Sequence, residues 1–170
     1  MLAPPFPANE ARRLGALREL LLLDTPPEQR FDKLVEFAAR EFEVPIVLFS
    51  LVDTERQWFK ARVGMAACST PRRISFCAHA ILQTDLFIVP DTLQDERFAD
   101  NPLVTGDPFM RFYAGAPLIL PSGFAIGTLC LLDIKPRQLD EIDRSMLAAL
   151  RDLLLEEVLA QDMLPAGGQP

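Results

Sequence analysis

The chain has 170 residues with a formal net charge of −7, and 49% of its residues are hydrophobic. This length suits one domain with a sizeable core, and the composition is that of an ordinary globular protein. The acidic balance argues against a nucleic-acid-binding protein, because the sequence has no basic stripe to offset it. No apolar run approaches the ~20 residues of a membrane-spanning helix, and the three cysteines lack the spacing of a disulfide framework. We therefore expect a cytoplasmic protein that contacts neither nucleic acid nor membrane.

The first half of the chain predicts two helices followed by a pair of strands. Residues 1–8 are rich in proline, and we expect them to form a disordered tail. Asn9 can cap a first helix, and residues 25–28, which read TPPE, have the features of a second helix start. Two strands follow, IVLFSLVD and QWFKARVG, and a polar turn at residues 53–56 joins them.

The second half predicts a short helix, a strand and a long β-hairpin. Ser75 can cap the short helix at residues 76–82, and the strand LFIVP and a polar loop come after it. The hairpin covers residues 111–133 and has a Pro-Ser-Gly turn between two apolar strands. Its small residues would let a helix or a ligand approach the backbone. The pattern of residues 138–161 predicts an amphipathic helix, and we expect residues 162–170 to be a disordered tail.

These elements predict an α+β fold in which residues 9–161 form a single domain. Two tight hairpins separated by a crossover imply a central antiparallel sheet of five or six strands. Helices from the two ends of the chain would cover one face of this sheet. The short helix with its loops would cover the other face.

Five segments of the chain resemble, in their order, a GAF (PAS-like) domain. The resemblance is to the bacterial subgroup often found ahead of histidine kinase or GGDEF diguanylate cyclase modules. The segments are LRELLLLDTPPEQRFDKLVEFAAREFEVPIVLFSLVDTERQWFKARVG, SFCAHAIL, VPDTLQDERFADNPLV, RFYAGAPL and GTLCLLD. The resemblance implies a ligand cavity over the sheet, on the face of the short helix. It also implies a sensory module for an unidentified small molecule. Because no effector domain follows residue 161, we expect it to signal to a separate kinase or cyclase-type protein, unless the sequence is part of a longer one.

The short helix carries the densest set of polar and reactive side chains. Its N-terminal N–H groups could bind a phosphate or carboxylate at the floor of the cavity, or Ser75 could merely cap the helix. His79, the only histidine, could contact a ligand or be a hydrogen-bonded structural residue. We expect no metal here, since Cys77 lies mostly on another side of the helix. The Cys-Ala-His order also differs from the adjacent Cys-His of bilin-binding GAF domains, so no chromophore is inferred and no cofactor is identified.

Arg111 and Tyr113 begin the long hairpin and are predicted to share one face of its first strand. Arg111 could hold an anionic group of a ligand, while Tyr113 could stack on the ligand or donate a hydrogen bond to it. Alternatively, Arg111 could pair with an acidic residue of the loop at residues 91–107 and fix that loop. The predicted ligand-binding residues are therefore Ser75, Phe76, Cys77, His79, Arg111 and Tyr113.

Cys68 and Cys77 suggest one enzymatic alternative. The free methionine-(R)-sulfoxide reductases, which are GAF proteins, have two of their three cysteines at about these positions. Their nucleophile lies on the loop before the hairpin, and here that loop reads NPLVTGDPFM and has no cysteine. Cys130 falls within a strand predicted to be buried, where a thiol behaves as a small hydrophobic group. We therefore expect no reductase activity and, since the carboxylates form no acid/base pair, no enzyme activity.

The sequence thus predicts a stand-alone sensory module without catalysis. An alternative is an interaction module whose pocket is filled by its own side chains and which acts as a dimerisation unit. The helix at residues 138–161 and the four leucines at residues 20–23 have more apolar positions than one sheet face covers. A parallel homodimer through these terminal helices would bury the excess.

Overall fold

The structure, a computed structural model, describes residues 1–163 and is built around a six-stranded antiparallel sheet. Its strands are β1 (Ile46–Val52), β2 (Arg56–Val63), β3 (Ser69–Pro71), β4 (Phe87–Val89), β5 (Phe112–Ile119) and β6 (Ala125–Asp133). Its helices are α1 (Glu10–Glu19), α2 (Gln29–Phe42), α3 (Phe76–Ala80), α4 (Pro102–Thr105) and α5 (Glu141–Met163). The strand order is β3-β2-β1-β6-β5-β4, and each neighbouring pair is antiparallel. The predicted α+β fold is therefore confirmed.

The sheet separates two apolar layers, because successive side chains of a strand point to opposite faces. The first layer joins the sheet to α1, α2 and α5, and the single tryptophan, Trp58, belongs to it with 8% exposure. The second layer joins the sheet to α3 and the neighbouring loops, and it contains Phe76, Phe98, Tyr113 and Cys130. The predicted distribution of the helices over the two faces is confirmed.

Glycines of the long hairpin accommodate groups of the protein itself. A Cβ at Gly127 would lie 1.8 Å from the carbonyl oxygen of Ser50, so the absent side chain lets β1 and β6 approach each other. A Cβ at Gly115 would lie 2.2 Å from the hydroxyl oxygen of Tyr113, whose side chain covers this glycine. Close approach was expected here, but the groups that approach are a strand and an aromatic side chain.

Three local features differ from the sequence prediction. Helix α1 ends at Glu19, and Leu21 adopts a left-handed φ of 55°, so the four leucines do not prolong the helix. Helix α3 ends at Ala80 instead of residue 82. Strand β3, which pairs with β2, has no counterpart among the predicted elements. A three-residue edge strand is too short to produce a recognisable alternating pattern.

Residues 1–8, for which the sequence predicts disorder, lie beside α3 in the structure. The N–H of Leu2 donates to the carbonyl oxygen of Arg97 at 3.3 Å, and the carbonyl oxygen of Leu2 lies 3.1 Å from Nε2 of His79. At the other end, α5 continues to Met163, so most of the predicted tail lies outside the described residues. Within residues 1–163, the helices are too short or too polar to cross a membrane.

Candidate functional site

Ser75 is fully buried and joins α3 to β2. Its Oγ accepts a hydrogen bond from the N–H of Ala78 at 3.0 Å, which is a helix-capping interaction. The same hydroxyl donates to Oε1 of Gln57 at 2.7 Å. Both interactions are made with groups of the protein, so in this structure Ser75 acts as the cap of α3.

Gln57 is a buried polar residue that the sequence analysis missed. Its Oε1 accepts hydrogen bonds from Ser75 and, at 3.3 Å, from Oγ of Ser50. Its Nε2 donates to Oγ1 of Thr70 at 2.6 Å. These bonds link β1, β2, β3 and α3. In the sequence, Gln57 directly follows a polar turn, so no local signal marks it as a buried residue.

Aromatic side chains fill the space expected for a ligand. The ring of Phe76 stacks on Phe98 at a centroid distance of 4.2 Å and on Tyr113 at 5.2 Å. The space that remains beneath α3 measures about 10 Å³, which is close to the room needed by one water molecule. The expectation of a preformed cavity large enough for a small molecule is therefore wrong for this structure.

Cys77 is the centre of a buried cluster of hydroxyl and thiol groups. Its Sγ accepts hydrogen bonds from Oγ1 of Thr128 at 3.1 Å and from the hydroxyl of Tyr113 at 3.3 Å. It also lies 3.7 Å from Sγ of Cys130. Burial works to raise the pKa of Cys77, but hydrogen bonds, first those from Cys130 and Thr128, outweigh burial and lower this pKa. Burial, together with the neighbouring Cys77, raises the pKa of Cys130. The two hydroxyl donors therefore stabilise the thiolate form of Cys77.

His79 is 9% exposed and contacts the N-terminal segment. Its imidazole packs edge-on against the ring of Phe98 at a centroid distance of 4.9 Å. Burial lowers the pKa of His79 and outweighs the opposing contact with the carbonyl oxygen of Leu2. The imidazole is therefore neutral at pH 7, and its contacts in this structure are those of a structural histidine.

Arg111 lies apart from the cysteine cluster and pairs with Asp91. Its Nη2 lies 3.1 Å from Oδ1 of Asp91, and its side chain is 31% exposed. Asp91 also accepts the N–H of Leu93 at 3.1 Å and so caps the turn at Thr92–Gln94. Of the two roles that the sequence left open for Arg111, the ion pair that fixes the loop is the one present.

The structure thus brings together only part of the predicted site. Phe76, Cys77 and Tyr113 line the remaining space, together with Cys130. Among the described residues, each buried side-chain nitrogen and oxygen has a hydrogen-bond partner, and no cluster of three or more His, Cys, Asp or Glu side chains could hold a metal ion. The chemistry that this arrangement can support is that of its two adjacent thiols.

The sheet order and the distribution of the helices define a class of small α+β domains in which helices cover both faces of one antiparallel sheet. A family model described as GAF domain matches residues 26–155 of this chain. The chain therefore belongs to the GAF domain family, as its sequence segments suggested.

One relative is a cyclic di-GMP phosphodiesterase of Pseudomonas aeruginosa. It is 42% identical to this chain over 159 residues. The match includes 93% of this chain but 27% of the relative, so the chain spans about a quarter of the length of that curated relative.

Two solved structures share the fold. One is the free methionine-R-sulfoxide reductase from Neisseria meningitidis in complex with its substrate, with a TM-score of 0.64, 20% identity, and 95% and 98% of the two chains covered. The other is the GAF domain of an Acinetobacter phosphoenolpyruvate-protein phosphotransferase, with a TM-score of 0.63, 16% identity, and 89% and 95% covered. At these identities the likeness extends to the fold alone.

These comparisons contradict the expectation that the chain is not an enzyme. The relative with 42% identity is named as a phosphodiesterase, and a reductase has the same fold. The sequence of this chain carries no recognisable set of catalytic residues, and a role within a larger enzyme leaves no such set in one domain. Proteins similar to this chain therefore include enzymes.

Proposed function

We propose that this chain is a regulatory GAF domain that controls a cyclic di-GMP phosphodiesterase activity. The observation that carries the proposal is the extent of the match to the Pseudomonas relative. At 42% identity, 93% of this chain corresponds to 27% of a phosphodiesterase. Such a match is expected when a regulatory domain forms one part of a longer enzyme. In this proposal, the partner that receives the signal is a phosphodiesterase unit instead of the kinase or cyclase-type protein expected from the sequence. We further propose that the protein is a cytoplasmic homodimer.

Helix α5 is the element best placed to transmit a change within the domain. It packs against β5, β6 and α2. Nη1 of Arg151 donates to the carbonyl oxygen of Pro117 in β5 at 2.9 Å, and Nη1 of Arg30 donates to the carbonyl oxygen of Glu157 at 2.5 Å. Because α3 lies against the opposite face of β5 and β6, a shift beneath α3 would reach α5 through the sheet.

A small molecule beneath α3 is one candidate for the signal that the domain detects. The polar groups of Ser75, Cys77 and Tyr113 would face it, and His79 would border it once the N-terminal segment is displaced. A ligand would have to displace Phe76 from its stack, and Arg111 could contribute only after leaving Asp91. Native mass spectrometry of protein purified from its own host tests whether such a molecule binds. A mass above that of the chain, with the excess lost on denaturation, would support binding.

A domain without a ligand is the second candidate. The observation that favours it is the remaining space of about 10 Å³ beneath α3, which the protein's own rings leave after filling this region. The domain would then act as a dimerisation unit for the phosphodiesterase. A protein that carries no small molecule in the same mass measurement would support this alternative.

A chimeric enzyme tests the regulatory role. The matching region of the Pseudomonas phosphodiesterase is replaced by this chain, and the hydrolysis of cyclic di-GMP is compared with that of the same enzyme lacking the region. We expect the two rates to differ, and Arg151→Ala to move the chimera's rate towards that of the deletion because it removes the hydrogen bond from α5 to the carbonyl oxygen of Pro117 in β5. The matched control is Arg144→Ala, since Arg144 is exposed on the same helix and its side chain donates to the carbonyl oxygen of Leu139, which lies next to this helix and not in the sheet. A chimera indistinguishable from the deletion would contradict the proposal.

A further inference from the structure

We propose that Cys77 and Cys130 form an oxidation site, at which hydrogen peroxide converts the two thiols into a disulfide between α3 and β6. The two residues are 53 positions apart in the sequence, and the fold places their Sγ atoms 3.7 Å apart. Both are free thiols and both are buried. A disulfide has a sulfur–sulfur distance of about 2.05 Å. The two atoms therefore need to approach by roughly 1.7 Å, through side-chain rotation combined with a small movement of the five-residue helix α3.

The surroundings of Cys77 favour its reaction as the nucleophile. The hydroxyls of Thr128 and Tyr113 both donate to its Sγ, at 3.1 and 3.3 Å. Hydrogen bonds to a sulfur stabilise the thiolate, which is the reactive form of cysteine. The closest sulfur neighbour of this thiolate is Sγ of Cys130 at 3.7 Å, and burial raises the pKa of Cys130. The pair therefore contains one thiol that can attack an oxidant and a second that can resolve the product.

The space beside the two sulfur atoms selects a very small oxidant. Cys77 and Cys130 both border the remaining space of about 10 Å³, which has room for about one water molecule. Hydrogen peroxide, with one more oxygen than water, needs only a slight widening of this space. Met65 and Leu103 also line it and are only half-buried, so their movement provides an entry path. Bulky organic hydroperoxides would be excluded.

The reaction balances without any further reagent. The thiolate of Cys77 attacks one peroxide oxygen, so that an S–O bond forms and the O–O bond breaks. The departing hydroxide takes the proton lost by Cys77 and leaves as water. The thiol of Cys130 then attacks Sγ of the sulfenic acid, the S–S bond forms, the S–O bond breaks, and the second hydroxide leaves as water with the proton of Cys130. Peroxide gains two electrons and the two thiols lose them; a dithiol reductant reverses the change.

Closing the disulfide would disturb the contacts around α3. Thr128 and Tyr113 would lose a thiolate acceptor, and α3 would be drawn towards β6. The cap of α3 is tied to β2 through Ser75 and Gln57, at 2.7 Å. A movement of α3 would thus also move the part of β2 to which its cap is bonded. This inference does not depend on the phosphodiesterase proposal, because it concerns only groups within this chain.

Disulfide mapping on the folded, unaltered protein tests the inference. The protein is treated with hydrogen peroxide, its remaining thiols are blocked, and its peptides are analysed by mass spectrometry. We expect a loss of about two mass units, one hydrogen from each thiol, and a cross-linked peptide pair containing Cys77 and Cys130. Dithiothreitol should restore the original mass. If both cysteines stay reduced under conditions that oxidise the exposed Cys68, the inference is overturned.

Three variants assign the roles of the thiols. In Cys68→Ser, the matched control, the disulfide should form at the same rate as in the unaltered protein. In Cys77→Ser it should be lost, and Cys130 should stay reduced. In Cys130→Ser the disulfide should also be lost, and a sulfenic acid at Cys77 should be trapped by dimedone. If Cys130 forms a sulfenic acid in Cys77→Ser, while Cys77 forms none in Cys130→Ser, the assignment of the nucleophile is overturned. Because the mapping uses the unaltered protein, poor folding of a variant would leave the main test intact.

Discussion

The buried charge of Arg13 joins α1 to the sheet. Its side chain is 1% exposed, and its Nη2 and Nη1 donate to the carbonyl oxygens of Val52 and Ala125 at 2.7 and 3.2 Å. Its Nε also pairs with Glu10 at 2.7 Å, and Glu10 accepts a further hydrogen bond from Arg72. Burial works to raise the pKa of Glu10, but the hydrogen bonds from both arginines outweigh burial and lower this pKa. The carboxylate therefore stays ionised and compensates the buried guanidinium groups.

We expect Arg13→Ala to lower the free energy of unfolding by about 3–5 kcal/mol, because removal of one partner leaves buried polar groups unsatisfied. Urea unfolding monitored by circular dichroism measures this change. The matched control is Arg12→Ala, since Arg12 is exposed and should cost no more than about 0.5 kcal/mol. Equal effects of the two substitutions would show that the network around Arg13 contributes little to stability.

The contrast between Ser75 and Arg13 shows which residues a sequence can identify. Ser75 was recognisable as a helix cap, since a cap depends on residues within the next turn. Arg13 was only half of an Arg-Arg pair, and its carbonyl partners lie 39 and 112 positions further along the chain. The pairing of Cys77 with Cys130 likewise depends on the assembled fold. Local roles could be predicted, whereas buried polar contacts between distant segments could not.

At the scale of elements, the contact between β1 and β6 determines how closely the two hairpins approach. Six pairs of residues are matched in this antiparallel contact, which includes Leu51 opposite Gly127. The carbonyl oxygen of Ser50 occupies the place of a Cβ at Gly127. Since this obstacle is backbone, no side-chain rotation can remove it.

We expect Gly127→Ala to destabilise the domain by about 1–3 kcal/mol or more, because the new methyl group would force β1 away from β6. The matched control is Gly15→Ala in the middle of α1, where a Cβ meets nothing within 4 Å. This control should stabilise the protein by about 0.5–1 kcal/mol, since alanine favours a helix more than glycine does. Thermal unfolding of the two variants should therefore shift in opposite directions, and a neutral result for Gly127→Ala would contradict this account of the contact.

Elements with a clear periodicity were predictable, and those without one were not. Helix α2 buries Phe31, Val35, Ala38 and Phe42, which follow helical spacing. The four leucines at residues 20–23 have no period, and the structure buries Leu20 and Leu22 but leaves Leu21 77% exposed. A run of consecutive apolar residues does not indicate which side chains face the core, so the end of α1 could not be located from it.

At the scale of the whole molecule, the arc of apolar residues left uncovered on α5 is narrower than the sequence suggested. Leu147, Leu150, Leu154 and Val158 are buried within the domain itself. Leu153 is 51% exposed, and Phe37 of α2 is 42% exposed. These two residues line one groove between α2 and α5. The homodimer stays a prediction. The sequence predicted its contact on the first and last helices, whereas the exposed Leu153 and Phe37 move the expected surface to this groove between α2 and α5.

We expect light scattering at micromolar concentration to give about twice the 19.0 kDa mass of one chain. Leu153→Glu should produce monomers, because a carboxylate would be buried in the apolar contact. Ile142→Glu is the matched control, since Ile142 is 73% exposed on the same helix but does not line the groove. This variant should remain dimeric. A monomeric unaltered protein would contradict the prediction, and dissociation by both variants would place the contact elsewhere on α5.

The separation of the two apolar layers gives this protein a pair of built-in optical probes. Its single tryptophan, Trp58, lies in the layer of the terminal helices, and its single tyrosine, Tyr113, lies beside the thiols in the other layer. Tryptophan emission should therefore respond to events at α2, which packs against the strand of Trp58, whereas the ultraviolet absorption of tyrosine should respond to events at Cys77. The order in which the two signals change after mixing with peroxide would reveal the direction in which a disturbance crosses the sheet, without any attached label.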